Sequence, residues 1–157
     1  MSGRHRQHVR PDGIDPAARS RSRRRALQAL YAWQMSGQPI SQVIAQFLNE
    51  QDMDIADLTY FEDLLRGVEA NLEHIDTELR RFVDRDIAQI DPIERGVLRL
   101  AAYELLFRTD VPYRVVLNEA IETTKRFGAD QGHTYVNGVL DRAAAQWRVA
   151  EVAAGRG

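Results

Sequence analysis

Five arginines lie close together near the start of the chain: Arg19, Arg21, Arg23, Arg24 and Arg25. The planar guanidinium group matches the geometry of phosphate and donates parallel hydrogen bonds to it. A solvated helix face usually mixes acidic and basic residues, but no acid occurs between Pro16 and Gln34. The cluster therefore predicts nucleic-acid binding. The alternatives are a charged surface without a ligand and a contact site for an acidic protein partner.

Two tyrosines, Tyr31 and Tyr135, are candidate stacking platforms. Unpaired bases of single-stranded RNA stack on aromatic rings and on guanidinium planes beside a basic surface. A single tyrosine is more often a packing residue of the core or its boundary, so this alternative stays open for both positions.

No motif in the sequence predicts catalysis or a resident metal. Asp52, Asp54 and Asp57 suggest a calcium loop, but the required glycine and the terminal glutamate are missing. His74 and His133 have no histidine or cysteine partner at metal-ligand spacing. Phosphate-binding glycine loops and nucleophile-elbow motifs are also absent. We therefore expect a protein that is not an enzyme and that has no cofactor and no metal.

The distribution of charge is more informative than its total of −2. Residues 1–25 contain eight arginines and two aspartates and carry +6, so the remaining residues carry −8. Such a polarised chain presents one local surface to phosphate. The absence of cysteine, of a long apolar run and of a secretory signal predicts a cytoplasmic protein that does not contact membranes.

Helical periodicity and capping residues predict an all-α fold that positions these side chains. Asp15-Pro16 and Asp91-Pro92 each place a capping acid before a proline at the first helical position. Residues 55–83 are long for one helix, so a break is expected near Asn71. The first helix begins with so much charge that we expect its first turns to project past the core.

The predicted boundaries are a disordered basic extension over residues 1–14, a helical RNA-binding domain over residues 15–149, and a flexible tail over residues 150–157. Within the domain, apolar residues surround most of the helix that follows Pro92, which predicts a central position in a bundle. Asp110 and Pro112 predict the start of the next helix, and Gly128 predicts its end.

Several sequence blocks between about residues 17 and 148 closely resemble the NusB family of bacterial transcription antitermination factors. They are Ala29–Gln34, Tyr60–Val68, Ile93–Arg99, Ala102–Leu105 and Asp110–Asp141. The resemblance implies an all-α bundle of about seven helices in two packed subdomains. It also implies a heterodimer with the small-subunit ribosomal protein that acts as NusE, bound to boxA RNA in nascent ribosomal transcripts. The complex helps RNA polymerase, with other Nus factors, to read through terminators.

The same resemblance assigns roles to individual residues. It implies RNA contacts at the arginine-rich first helix and at Tyr31, Gln131 and Tyr135, and it places Phe82 and Glu94 at the partner surface. Gln131 and Phe82 stand where the family pattern has an acid and a tyrosine. The alternative function is a non-catalytic RNA-recognition or adaptor protein in ribosomal RNA processing or modification. Self-association within the family makes a homodimer a further expectation from the resemblance.

Overall fold

The computed structural model describes residues 13–50 and 56–156. Almost all of the predicted N-terminal extension lies outside these residues, as do Asp52 and Asp54 of the considered calcium loop. Every regular element of the described chain is helical, and no strand occurs in it. The predicted all-α class is therefore confirmed. No helix of the described part is both long enough and apolar enough to cross a membrane.

The described residues form eight α-helices and one short 3₁₀ helix. The α-helices are α1 (Pro16–Ser36), α2 (Ile40–Glu50), α3 (Leu58–Ala70), α4 (Leu72–Leu79), α5 (Pro92–Phe107), α6 (Tyr113–Phe127), α7 (Gly132–Trp147) and α8 (Val149–Arg156), and the 3₁₀ helix is Ile87–Gln89. The chain divides into two compact units, Met1–Arg66 and Gly67–Gly157. This division agrees with the two helical subdomains that the family resemblance implies.

Local capping chemistry sets the ends of several helices where the sequence predicts them. The Asp15 carboxylate accepts the N–H groups of the first turn of α1, and Asp91 does the same for α5. Gly37 ends α1 in the left-handed region at φ 71°, a conformation that glycine adopts without steric cost. The predicted break is also present, because Asn71 separates α3 from α4. These boundaries depend on residues close in sequence, which is why the pattern alone identifies them.

In the first unit, α1 packs against α2 and buries one face of its apolar second half. Leu27 and Leu30 are completely buried, and Phe61 of α3 is buried with its ring centroid 6.3 Å from that of Phe47 on α2. These side chains fix the orientation of α1 about its own axis. They therefore decide which of its arginines face inward.

In the second unit, α5 packs against α4, α6 and α7, as its largely apolar circumference predicts. A buried ion pair joins α4 to α5: Arg99 donates from Nε and Nη2 to the Asp76 carboxylate at 3.0 and 2.8 Å. Both side chains are only 12% exposed, so the two parallel hydrogen bonds offset much of the cost of burying the charges.

The turn between α5 and α6 is held by residues far away in the sequence. Arg148 is buried and donates to the carbonyl oxygens of Glu104, Leu105 and Arg108, which end α5. Its Nη1 lies 2.6 Å from Oε1 of Glu151. The last carbonyl groups of an α-helix lack partners within the helix, and Arg148 supplies one to Leu105, whereas the carbonyls of Glu104 and Arg108 also accept backbone N–H groups.

Two details of this region differ from what a local pattern indicates. Helix α6 begins directly after Pro112, as predicted, but Asp110 does not cap it and pairs with Arg108, at 3.0 Å between Nη2 and Oδ2. The Tyr113 N–H at the start of α6 instead donates to Glu151, at 2.8 Å. The predicted tail after residue 149 differs as well, because the structure has helix α8 there, with Val152 only 6% exposed. A contact across 38 residues is invisible to local sequence patterns.

Candidate nucleic-acid interface

Helix α1 has an inward and an outward face that divide the predicted arginine cluster. Its buried residues are Ser22, Arg23, Ala26, Leu27, Ala29 and Leu30. At 100° per residue, the opposite face consists of Arg21, Arg24, Gln28, Tyr31 and Met35. We call this set the outer face of α1. Its Tyr31 is 39% exposed and its Met35 59% exposed, while Arg21 and Arg24 are partly exposed.

Two of the predicted phosphate-binding arginines point the other way, onto the ring of Tyr60. The guanidinium carbons of Arg19 and Arg23 lie 4.2 and 5.3 Å from the ring centroid, and Arg23 Nη2 lies 3.4 Å from the tyrosine hydroxyl. Tyr60 is 2% exposed and Arg23 is 6% exposed. The expectation that the first turns of α1 project past the core is therefore wrong. The aliphatic stems and flat heads of these arginines pack where an aromatic ring is available.

Asp57, the one residue of the considered calcium loop among Asp52, Asp54 and Asp57 that the structure describes, joins the start of α3 to α1. Ser22 accepts the Asp57 N–H at 2.9 Å, and its own hydroxyl lies 2.7 Å from the Asp57 carbonyl oxygen. The Asp57 carboxylate caps α3 by accepting the Tyr60 N–H, and it lies 3.7 Å from Nε of Arg19. Among the residues that the structure describes, no group of three or more histidine, aspartate or glutamate side chains is placed to hold a metal ion.

In the second unit, Tyr135 on α7 forms a cluster with two neighbouring residues of the segment after α4. The Arg85 guanidinium carbon lies 4.7 Å from the centroid of the Tyr135 ring. Asp84 receives the Arg85 Nε at 2.9 Å and lies 3.4 Å from the tyrosine hydroxyl. Hydrogen bonds from Arg85 lower the pKa of Asp84, while burial raises the pKa of Tyr135. No pattern in the sequence distinguishes Asp84 and Arg85 as site residues, because an acidic residue followed by a basic one is common on any protein surface.

Glu94 lies beside the start of α7, close to the same cluster. Its carboxylate is so near Gly132 that a Cβ added there would meet Oε2 at 2.9 Å, so a larger residue at this position would displace the flexible end of Glu94. Burial, and then the neighbouring charge of Asp91, raise the pKa of Glu94, with Arg85 acting in the opposite direction. Gln131 precedes Gly132 and is the one non-glycine residue of the described chain at positive φ, at 70°. Backbone strain of this kind often marks functional positions.

Phe82 is placed differently from the other predicted partner residue, Glu94. It is 8% exposed, and its ring meets that of Trp147 edge-on at 5.5 Å between centroids. Its carbonyl oxygen accepts a hydrogen bond from Arg142 at 2.8 Å. The structure thus places the ring of Phe82 in packing contact, and Glu94 beside the Arg85–Tyr135 cluster.

Comparison with known proteins identifies the family. The NusB family model matches residues 20–145. A protein of Xanthomonas axonopodis pv. citri named transcription antitermination protein NusB is 64% identical over 149 residues, which cover 95% of this chain and 94% of the relative. The structure of T. maritima NusB superposes with a TM-score of 0.73 at 34% identity, covering 82% of this chain and 91% of that one.

A solved complex of the antitermination factors NusB and NusE with double-stranded RNA also shares the fold. Its matching chain has a TM-score of 0.68 at 24% identity and covers 80% of this chain and 95% of its own length. At this identity the likeness concerns the fold alone. Because the family match and the 64% identical relative span most of the sequence, this chain belongs to the NusB family, and its predicted class of transcription antitermination protein is confirmed.

Proposed function

We propose that this protein binds boxA RNA in nascent ribosomal RNA transcripts together with the ribosomal protein NusE, and so promotes readthrough by RNA polymerase. The observation that carries the proposal is the 64% identity, over 95% of the chain, to a relative named transcription antitermination protein. The protein acts by binding and not by catalysis. Its place of action is the bacterial cytoplasm, where nascent transcripts are made, and other Nus factors join the same complex.

The outer face of α1 supports RNA as the ligand. It combines two arginines with an exposed tyrosine and an exposed methionine, and α1 contains no acidic residue. Arginines supply salt-dependent phosphate contacts, whereas aromatic and apolar side chains contact unstacked bases. We assign the phosphate contacts to Arg21 and Arg24 of this face and to Arg25, which is partly exposed at its edge and donates to Gln28 at 3.2 Å. Arg19 and Arg23 lie on the inward side of α1, where they pack on the ring of Tyr60 and hold the helix in position.

The cluster at the start of α7 supplies a second set of contacts. Tyr135 offers a partly exposed ring for a base, and Gln131 offers a side-chain amide at an exposed position. Glu94 is partly exposed beside them and is the proposed contact to NusE. NusE is the partner that the family resemblance implies, and one protein with the same fold was solved as a complex of NusB and NusE with double-stranded RNA. Because that RNA is double-stranded, a boxA duplex belongs among the probes.

A titration tests the proposed function directly. Fluorescently labelled boxA RNA, a scrambled RNA, a boxA duplex and the corresponding single-stranded DNA are each titrated with the full chain, with and without NusE, at several salt concentrations. We expect modest binding of single-stranded RNA by the protein alone. The slope of log affinity against log salt should gain about 0.7 in magnitude for each neutralised phosphate. NusE should raise the affinity for boxA more than for scrambled RNA.

Two results would contradict the proposal. Equal affinity for all four nucleic acids in the presence of NusE would mean that the protein has only a non-specific basic surface. Binding that does not change with salt would exclude phosphate contacts as its source. A homodimer, if one forms, should dissociate on addition of RNA and NusE, which size-exclusion chromatography with light scattering measures.

A further inference from the structure

Asp84 and Arg85 form an ion pair that covers one part of the Tyr135 ring. Arg85 donates from Nε to Oδ1 of Asp84 at 2.9 Å, and its Nη2 lies 3.4 Å from Oδ2. The same Oδ1 lies 3.4 Å from the Tyr135 hydroxyl. Asp84 therefore holds the guanidinium group in place over the aromatic ring, where it lies 4.7 Å from the centroid.

The stability of the fold does not account for this arrangement. The side chains of Asp84 and Arg85 are 69% and 44% exposed, in contrast to 12% for each partner of the Asp76–Arg99 pair. Ion pairs as exposed as this one change the folding equilibrium by a few-fold at most. The pair is therefore accessible to a ligand from solvent.

A guanidinium group beside an aromatic ring is a combination that suits a nucleotide. The ring stacks with a base, and the guanidinium group contacts the neighbouring phosphate or stacks on the base itself. The guanidinium group carries five N–H donors, and Asp84 occupies Nε and Nη2, which together form an edge that can bind a carboxylate or a phosphate through two parallel hydrogen bonds. A phosphate and the Asp84 carboxylate are thus competitors for Arg85.

We propose that Arg85 is an RNA phosphate-binding residue of the Tyr135 site, and that Asp84 lowers the RNA affinity of this site by competing with phosphate for Arg85. This inference rests on the proposed RNA-binding function. It adds a contact, and an internal competitor for it, to the platform at Tyr135. Without RNA, the charges of Asp84 and Arg85 nearly cancel. When phosphate replaces the Asp84 carboxylate, the positive charge of Arg85 is paired with the phosphate instead.

The test is a double-mutant cycle measured with boxA RNA and the full chain in the absence of NusE. Asp84→Asn should bind RNA about two- to fivefold more tightly, the range of an exposed ion pair. The slope of its log affinity against log salt should grow in magnitude by at most about 0.7, because the phosphate at Arg85 is then neutralised in every complex and no longer only in those where it displaces Asp84. Arg85→Ala should weaken binding, and Asp84→Asn should give no gain when combined with Arg85→Ala.

Asp86→Asn is the matched control. Asp86 is an exposed aspartate two positions away, and it makes no side-chain capping hydrogen bond to the 3₁₀ helix. The substitution makes the same change of charge without freeing Arg85, so it should leave the salt slope unchanged. If Asp84→Asn and Asp86→Asn increase affinity equally, or if the gain from Asp84→Asn persists without Arg85, general repulsion explains the effect and the competition is overturned.

A measurement without RNA separates this inference from the proposed function. The NMR signal of the Arg85 Nε–H should be protected from exchange in the wild type and lose that protection in Asp84→Asn. An unchanged signal overturns the competition even if RNA binds. Absence of RNA binding in the wild type, with the Nε–H protected, overturns the proposed function and the phosphate-binding role of Arg85 while leaving the ion pair established.

Discussion

The two units each place arginine against tyrosine, but in environments of opposite character. In the first unit, Arg19 and Arg23 pack on Tyr60, whose ring is only 2% exposed. In the second, Arg85 lies over the partly exposed Tyr135, and the Arg85 side chain is 44% exposed. The contact between an arginine and a tyrosine therefore has a different role in each unit. Burial turns the first contact into part of the core, whereas exposure leaves the second available to a ligand.

The comparison shows why a count of arginines overestimates a binding surface. A cation–aromatic contact becomes stronger when water is excluded, so the Tyr60 contact stabilises the fold and holds its arginines away from solvent. An exposed contact is weak and is readily exchanged for phosphate or a base. Substitutions in the two regions should accordingly separate stability from RNA affinity.

The largest expected effect is the loss of the Tyr60 ring. Tyr60→Ala should reduce the free energy of unfolding by about 3–5 kcal/mol, because it removes a buried aromatic side chain and leaves a cavity. Urea denaturation followed by circular dichroism measures this loss. The control Tyr60→Phe keeps the ring and removes the hydroxyl that contacts Arg23, so it should cost about 1 kcal/mol. Similar small losses for both variants would mean that the ring does not anchor α1.

Arg23 and Arg24 are neighbours in sequence that should behave differently. Arg23→Ala should lower the free energy of unfolding by about 1–3 kcal/mol, because it strips a partner from the buried Tyr60 hydroxyl. Arg24→Ala, on the outer face of α1, should stay within about 0.5 kcal/mol of the wild type. In RNA titrations Arg24→Ala should instead reduce the magnitude of the salt slope by about 0.7. The reverse pattern would overturn the division of α1 into two faces.

At the exposed tyrosine the expected loss is in RNA affinity. Tyr135→Ala should cost about 1–3 kcal/mol of boxA binding if the ring stacks a base, with little change in the salt slope. Tyr135→Phe is the control, since it retains the stacking surface and removes the hydroxyl near Asp84. Both affinity and thermal stability should be measured. A loss of stability with intact RNA binding would make Tyr135 a packing residue, like Tyr60.

The smallest expected effect concerns Glu94, whose pKa is raised by burial above the usual value of 4.5. The folded protein then binds the Glu94 proton more tightly than the unfolded chain does. This residue therefore contributes a gain in stability as pH falls from neutral through its raised pKa, and the gain is complete below 4.5. A carboxyl NMR titration should give the raised pKa directly. Glu94→Gln should remove the contribution, and a wild-type titration at or below the usual value would contradict it.

Glu94→Lys tests the proposed partner role of the same residue. An acid in the first turn of a helix stabilises it by only about 0.3–1 kcal/mol, so the variant should remain folded. Its complex with NusE and boxA should form less readily, as native gel electrophoresis would detect. Glu94→Gln is the control that keeps the shape of the side chain. Normal assembly of Glu94→Lys would remove Glu94 from the interface.

How far the sequence predicts the site differs between its parts. The arginine cluster is visible in the sequence, yet its division into inward and outward residues depends on Tyr60, more than thirty positions away in the chain, which an all-helical pattern does not place. Tyr31 follows Leu30 directly and is four residues from Leu27, a spacing that is typical of one apolar helix face. The structure leaves it 39% exposed, because the buried face of α1 is rotated away from it. Asp84 and Arg85 carry no pattern of their own and become noticeable only beside Tyr135.

The sequence by itself determined the helical class, the helix starts at Asp15 and Asp91, the end of α6 at Gly128 and the break at Asn71. Each of these depends on hydrogen bonds or periodicity within a few residues, which a local pattern contains. The tertiary structure alone decided that Glu151 caps α6, that Arg148 closes α5, and which arginines are buried. Those outcomes depend on side chains that are distant in sequence and meet only when apolar faces pack. The chemistry of one residue does not specify the partner that packing will bring to it.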